Sequence, residues 1–127
     1  KKIAKNKEQS ILKSYIPELS NLPRLLTIND GYEYVMRLAG GPIWNIFFIH
    51  CIKPDMFPIF DQHTYRAMAK IENLSHVEIP KNKNVLLDIY FKKYIPFFIT
   101  FEDIPSRYVD KALFAYGRFL KKGLSGK

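Results

Sequence analysis

The chain has 127 residues, 47% of them hydrophobic and 15% aromatic, enough for one domain with its own core and too short to expect two. Twenty Lys and Arg stand against twelve Asp and Glu, and the net charge of +8 favours a polyanionic partner, either nucleic acid or an anionic surface. The single cysteine, Cys51, excludes an internal disulfide and a multi-thiolate metal site.

A reducing compartment suits such cysteine usage. No secretory segment and no apolar run of bilayer length is present, so a cytoplasmic protein without a membrane partner is expected. The basic residues are dispersed, from Lys1, Lys2, Lys5 and Lys7 through Lys81, Lys83, Lys92 and Lys93 to Arg118, Lys121, Lys122 and Lys127. Any basic face therefore has to be assembled by folding.

In chain order, a weak helical pattern covers Lys7 to Tyr15. A helix is expected from about Asn29 to Leu38, with Tyr32, Val35 and Leu38 on one side and a stop at Gly40. Pro42 suits the first turn of a second, apolar helix that runs to about Ile52. A third begins after Asp61 and buries Tyr65, Met68 and Ala69. A fourth spans Asn84 to about Ile95, where Pro96 ends or kinks it. Phe97 to Phe101 is short and ambiguous. The last helix shows an apolar stripe at Tyr108, Val109, Ala112, Leu113, Tyr116, Phe119 and Leu120, with Ser106 to open it and Gly123 to end it. Little else alternates with the period of two that a half-buried strand needs. The expectation is an all-α helical bundle in a single domain over residues 1–127, which a longer protein can contain.

Two stretches carry chemistry. In Leu38-Ala39-Gly40-Gly41-Pro42-Ile43-Trp44 a tight glycine turn joins two helices. Glycines let one backbone approach another, and the amides that start the following helix can hold a phosphate oxygen. Gly40, Gly41 and Ile43 are thus candidate DNA contacts, of a kind that binds without reading sequence. The structural alternative is that Gly40 ends one helix and Gly41 caps the next. In the second stretch, Phe57-Pro58-Ile59-Phe60-Asp61-Gln62-His63-Thr64-Tyr65-Arg66-Ala67, Asp61 occupies an N-cap position where backbone amides stabilise the ionised carboxylate. A carboxylate held at the mouth of a cleft can stabilise a developing sugar cation or activate water against it. His50 and Cys51 lie on the apolar helix with no second cluster of ligands, so they read as buried side chains and no metal is expected. His76, Asp88, Glu102 and Asp103 receive no role.

The first stretch resembles the hairpin of the helix-hairpin-helix base-excision DNA glycosylase superfamily. The second resembles its aspartate segment, commonly an apolar run followed by Asp-x-His-x-x-Arg, and the separation of Trp44 from Asp61 is close to the family's. The likeness covers Leu38 to Ala67, with a looser echo in Asp110-Lys111-Ala112-Leu113-Phe114-Ala115-Tyr116-Gly117. It implies a helix-hairpin-helix glycosylase-like bundle with its hairpin over about 29–52 and its aspartate segment over 57–67. Asp61 falls on the catalytic aspartate, Gly40 and Gly41 on the hairpin, and Trp44, Gln62, His63 and Arg66 on pocket or supporting positions. Such proteins bind duplex DNA, flip out a damaged or modified base and hydrolyse its N-glycosidic bond. The aromatic cluster Tyr90, Phe91, Tyr94, Phe97, Phe98 and Phe101 would then offer either a stacking platform for that base or core packing.

Three departures narrow the resemblance. The family's hairpin usually reads Gly-x-Gly, whereas here the glycines are adjacent and Pro42 removes one amide donor. Trp44 stands where bifunctional branches carry a lysine nucleophile, so a Schiff-base lyase is not implied. One cysteine cannot supply the four of the iron-sulfur branches. The implied activity is a monofunctional hydrolase without cofactor, nearest the alkyladenine and 8-oxoguanine branch. Two other readings suit parts of the same pattern: a non-enzymatic helix-hairpin-helix nucleic-acid module, for which the altered hairpin argues, and a protein-interaction domain in which the hairpin is only a corner.

Overall fold

The structure, a computed structural model, describes residues 24–125 together with Gln9, Lys13 and residues 15–18. Helix is the only regular structure among the described residues. Of the weak pattern expected over 7–15, Gln9, Lys13 and Tyr15 are helical and the rest lies outside the described residues.

Helix α1 (Ile28–Arg37) starts because Thr27 and Asp30 form a reciprocal cap. The Thr27 hydroxyl accepts from the Asp30 amide at 3.1 Å, and the Asp30 carboxylate accepts from the Thr27 amide at 3.0 Å. Gly40, at φ 91°, then turns the chain through a conformation that a side chain would strain. Helix α2 (Pro42–Ile52) follows, with Gly41 as N-cap and Pro42 in its first turn, where a missing N–H removes no helical bond. The two form the expected hairpin pair. Helix α3 (Gln62–Ile71) comes after an extended segment and buries Tyr65, Met68 and Ala69, as the apolar spacing requires.

The next rod departs from expectation. Helix α4 (Lys83–Ile89) passes directly into a π-helical turn, Tyr90–Tyr94, and then into α5 (Ile95–Ile99). Pro96 therefore neither ends the rod nor simply kinks it. In an unbroken α-helix its ring would strike the carbonyl four residues back. The π turn widens the chain by one residue, with the Ile95 amide bonded to the Tyr90 carbonyl, so Pro96 opens a new helical stretch in a reset register. The ambiguous 97–101 stretch is helical as far as Ile99, with Thr100 and Phe101 in the following turn. The reset turns Tyr90, Phe91, Tyr94, Ile95, Phe97 and Phe98 into the core.

Helix α6 (Ser106–Ser125) opens at Ser106 as expected and corrects the expectation at its other end. Ser106 is its first helical residue, and the hydroxyl donates to Asp55 at 2.7 Å instead of capping the helix. At the other end the helix runs through Gly123. Its buried stripe is also narrower than expected. Val109 and Leu113 are buried, whereas Tyr108 and Phe119 are 50% and 68% exposed and Ala112 faces solvent.

What presses α6 onto α3 is Gly117. A Cβ at that position would lie 1.9 Å from the His63 carbonyl oxygen and 2.5 Å from its carbon. Backbone meets backbone there, and only glycine permits it. Arg66, 8% exposed, closes the crossing by donating to the Gly117 carbonyl at 3.1 Å.

Gly117→Ala should destabilise the domain by about 2 to 3 kcal/mol, the usual range for forcing a methyl into a filled contact. In thermal melting this reads as a fall of roughly 10 °C. Gly123→Ala on the same helix meets no atom within 4 Å, and should leave the melting temperature level or raise it slightly, because alanine is the better helix former. Equal effects of the two substitutions would show that helix propensity, and not the crossing, sets the result.

Candidate active site

The extended segment between α2 and α3 is held from both sides. Phe57 and Phe60 are buried, and the Phe57 ring occupies the space that a side chain on Gly31 would need, with a Cβ there only 2.4 Å from a ring carbon. The Pro58 carbonyl accepts from the buried Tyr90 hydroxyl at 2.7 Å. The segment thereby delivers Asp61 to the start of α3 in a fixed orientation.

Asp61 is the N-cap of α3, as its position in the sequence predicts. Its Oδ1 accepts from the amides of His63 and Thr64, both at 2.9 Å, and the Thr64 hydroxyl accepts from the Asp61 amide at 3.0 Å. Its Oδ2 takes no hydrogen bond from any described residue. The side chain is half-buried. One oxygen thus fixes the carboxylate and the other remains for a ligand.

The remaining residues of the Asp-x-His-x-x-Arg pattern serve the packing of α6. Arg66 donates through Nη1 to His63 Nδ1 at 3.2 Å. Arginine only donates, so this contact puts the His63 proton on Nε2. Burial moves the His63 imidazole below its usual range, with Arg66, Lys121 and Arg118 adding to the effect and Asp61 opposing it. The ring stands edge-on to Phe114 at 4.9 Å. Gln62, at the head of α3, is exposed.

The hairpin lies apart from these groups. Gly40 and Gly41 are exposed, Ile43 and Trp44 are half-buried, and no side chain caps the start of α2. Trp44 packs edge-on against Phe47 at 6.0 Å.

A cleft of about 650 Å³ opens between the end of α2, the extended segment and the start of α6, with His50, Asp55, Ile59, Arg107, Asp110 and Lys111 in its wall. None of the hairpin glycines, Ile43, Trp44, Asp61, Gln62, His63 or Arg66 lines it, so the expected placement of Asp61 at the mouth of this cleft is not met. His50 donates from Nδ1 to the Phe57 carbonyl at 2.7 Å, which leaves Nε2 as the acceptor of the neutral ring. Asp110 Oδ1 accepts from the Ile59 amide at 3.3 Å. Burial pushes the Asp110 carboxyl up from 3.8 to about 6; the Asp61 charge adds to this, while His50 and the Ile59 amide oppose it.

No family model, curated protein or solved structure matches this chain. Among the described residues no helix is long and apolar enough to cross a membrane, and no group of three or more His, Cys, Asp or Glu is disposed to hold a metal ion.

The structure revises one reading of the sequence and decides between the alternatives of another. His50 and Cys51 are not both buried side chains: Cys51 is exposed and His50 is half-buried in the cleft wall. Helix α2 is apolar on almost every side, so its pattern does not reveal which face turns outward. The aromatic cluster is core. Tyr90 and Tyr94 are 0% exposed, and no base can stack on them without displacing their packing. Asp110 is the functional candidate that motif reading passes over. Its one signal is a lone carboxylate next to Val109 on the buried side of an amphipathic helix.

A raised carboxyl in the folded chain means that the folded state keeps its proton over a range where the unfolded chain has released it. The stability that neutral Asp110 contributes is fully present below pH 3.8 and is lost as the pH rises toward about 6. Asp110→Asn keeps the acceptor for Ile59 and removes the charge. It should melt higher than wild type above about pH 6, and the gain should vanish below about pH 4. A gain that is constant across this range would contradict the burial of the carboxyl.

Proposed function

We propose that this chain is a monofunctional DNA base-excision protein in which Asp61 carries the chemistry. The observation behind this reading is the carboxylate itself: one oxygen is locked by two backbone amides and the other takes no hydrogen bond from any described residue. A structural cap needs only the first of these. A group that stabilises a sugar cation needs both, because it must be held rigidly while still presenting charge to the reacting carbon. In this reading duplex DNA lies against basic side chains and the hairpin turn, and a base leaves the stack. The bond from the sugar to the base then lengthens, and Asp61 stabilises the oxocarbenium-like centre while water completes the hydrolysis.

The hairpin supports a modest part in DNA binding. Its glycines are exposed and the start of α2 has no side-chain cap, so the amides of Ile43 and Trp44 suit a phosphate oxygen. Pro42 contributes none. Most of the affinity is therefore assigned to lysine and arginine side chains. Affinity for duplex DNA should be independent of sequence and should fall steeply as salt is added, because phosphate contacts release counterions. Fluorescence anisotropy against salt concentration measures this, and binding that is absent at low salt or indifferent to salt would leave only the protein-interaction reading.

Asp61→Asn separates catalysis from capping. Asparagine caps a helix about as well as aspartate, so folding and DNA binding should stay close to wild type while base release falls by about 100-fold to 1,000-fold. The assay is release of free base from duplexes with oxidised, deaminated or alkylated bases, with thermal melting as the folding control. Equal release by both proteins would return Asp61 to a purely structural role. A wild type that binds DNA but releases nothing would favour the non-enzymatic nucleic-acid module.

A further inference from the structure

The outward side of α6 is left over once the core is accounted for. Val109, Leu113 and Gly117 form the buried side of the helix. Opposite them, Arg107, Lys111, Arg118 and Lys122 are exposed. Their spacings of four, seven and four residues place them in one row, about 22 Å long at about 1.5 Å per residue. Asp110, the one acidic residue of α6, is half-buried and lies outside that row. Arg107, Lys111 and Arg118 make no ion pair among the described residues.

Aromatic rings are interleaved with these cations. Tyr108, Phe114 and Phe119 are exposed, and two of them carry a guanidinium. Arg107 lies over the Tyr108 ring at 4.7 Å and donates to its hydroxyl at 3.2 Å, and Arg118 lies over the Phe114 ring at 5.9 Å. Guanidinium planes and aromatic rings both accept a nucleobase in a stack. Ala112 and Ala115, between Tyr108 and Phe119, are exposed as well, and their small side chains keep the surface low between the rings.

The chemistry of this face selects its ligand. A row of cations free of acidic side chains suits a polyanion with regularly repeated charge. The bases of a duplex are paired and stacked inside it, so exposed rings gain contact only from unpaired bases. A bilayer requires a helix whose apolar side turns outward to the lipid, whereas the apolar side of α6 is buried against the domain and the cations stand among the rings. From Arg107 to Lys122 there is no Ser, Thr, Asn or Gln to read a ribose 2′-hydroxyl, and the Tyr108 hydroxyl is already engaged by Arg107.

We infer that the outward face of α6 binds single-stranded DNA, with phosphates along the cation row and unpaired bases stacked on Tyr108, Phe119 and the Arg118 and Phe114 pair. This surface does not depend on the excision proposed for Asp61, and either can fail without the other.

The test is fluorescence anisotropy with a labelled oligothymidylate of about 12 nucleotides, within the length that one such groove covers. It is compared with an abasic strand of equal charge, an RNA strand of equal length, and vesicles of phosphatidylserine and phosphatidylcholine. Wild type should bind oligothymidylate at least about tenfold more tightly than the abasic strand. Tyr108→Ala combined with Phe119→Ala should lower affinity for oligothymidylate by about 10-fold to 100-fold and leave the abasic strand unaffected. Lys111→Gln combined with Arg118→Gln should weaken binding and reduce the salt slope by about 1.4. The same change of charge on the π turn, Lys92→Gln with Lys93→Gln, should do much less. Asp61→Asn should bind as wild type does, and thermal melting checks that every variant folds. Ring substitutions without effect on oligothymidylate, or equal losses from the two pairs of charge substitutions, would overturn the proposal. So would tighter binding of the RNA strand, or a wild type that binds the vesicles and no oligonucleotide.

Discussion

The geometry of this domain depends on one place where two backbones touch. At Gly117 helix α6 lies directly on the first turn of α3, with no room for even a methyl group. Residues three, four and seven apart share a helix face. Pinning Gly117 therefore also sets the direction of Leu113 and Asp110, four and seven residues earlier. Leu113 enters the core and Asp110 meets the Ile59 amide. The carboxyl in the cleft wall is positioned by a glycine two helical turns away, about 10 Å along the axis.

Arg66 makes the same crossing electrostatically tolerable. A guanidinium taken out of water needs acceptors for its donors, and the Gly117 carbonyl and His63 Nδ1 provide two. One consequence is that His63 is held in a single tautomer by the group that buries it. Other buried polar groups follow the same logic: the Tyr90 hydroxyl ends on the Pro58 carbonyl and the Tyr15 hydroxyl on Asn45. Against that background the two buried atoms without partners among the described residues, Tyr94 Oη and Asn45 Nδ2, stand out. Each unmet group of this kind costs about 1 to 3 kcal/mol. Tyr94 Oη has the Thr64 side chain beside it, so Asn45 Nδ2 is the plainer case.

Much of the stretch from 28 to 71 is legible in the sequence because its helix starts carry their own chemical signals. Pro42 and Asp61 each mark a boundary that the backbone must respect, whereas the Thr27 and Asp30 cap escapes the reading that places this helix from about Asn29. Elsewhere periodicity alone has to serve, and there it misleads. Tyr108 and Phe119 fit the stripe of α6 but lie outside it, because apolar spacing does not reveal how narrow the neighbouring surface is. Pro96 signals a break, yet a π turn absorbs it by a register change that depends on where the core lies. His50 and Asp110 come from separate helices, 60 positions apart in the chain. Their meeting at one cleft is a product of the α3 and α6 crossing, and no local pattern encodes it. Asp61 is the reverse case: its cap geometry is local, and was readable from its place ahead of an apolar helix.

The two carboxyls differ in their backbone donors and in how far burial acts on them. Asp61 receives two amides from the opening turn of α3, whereas Asp110 receives one amide and a share of burial. The chain path from Ile59 to Thr64 supplies all three amides, since Ile59 donates to one carboxyl and His63 and Thr64 to the other. Stability accounts for Asp61 well enough, because a helix gains from its cap. It does not account for Asp110, whose charge burial disfavours above about pH 6, and whose neighbour Val109 shows that this side of α6 accepts apolar side chains without difficulty. Asp110 instead ties α6 to the extended segment ahead of α3, because the Ile59 amide donates to it across the wall of the cleft.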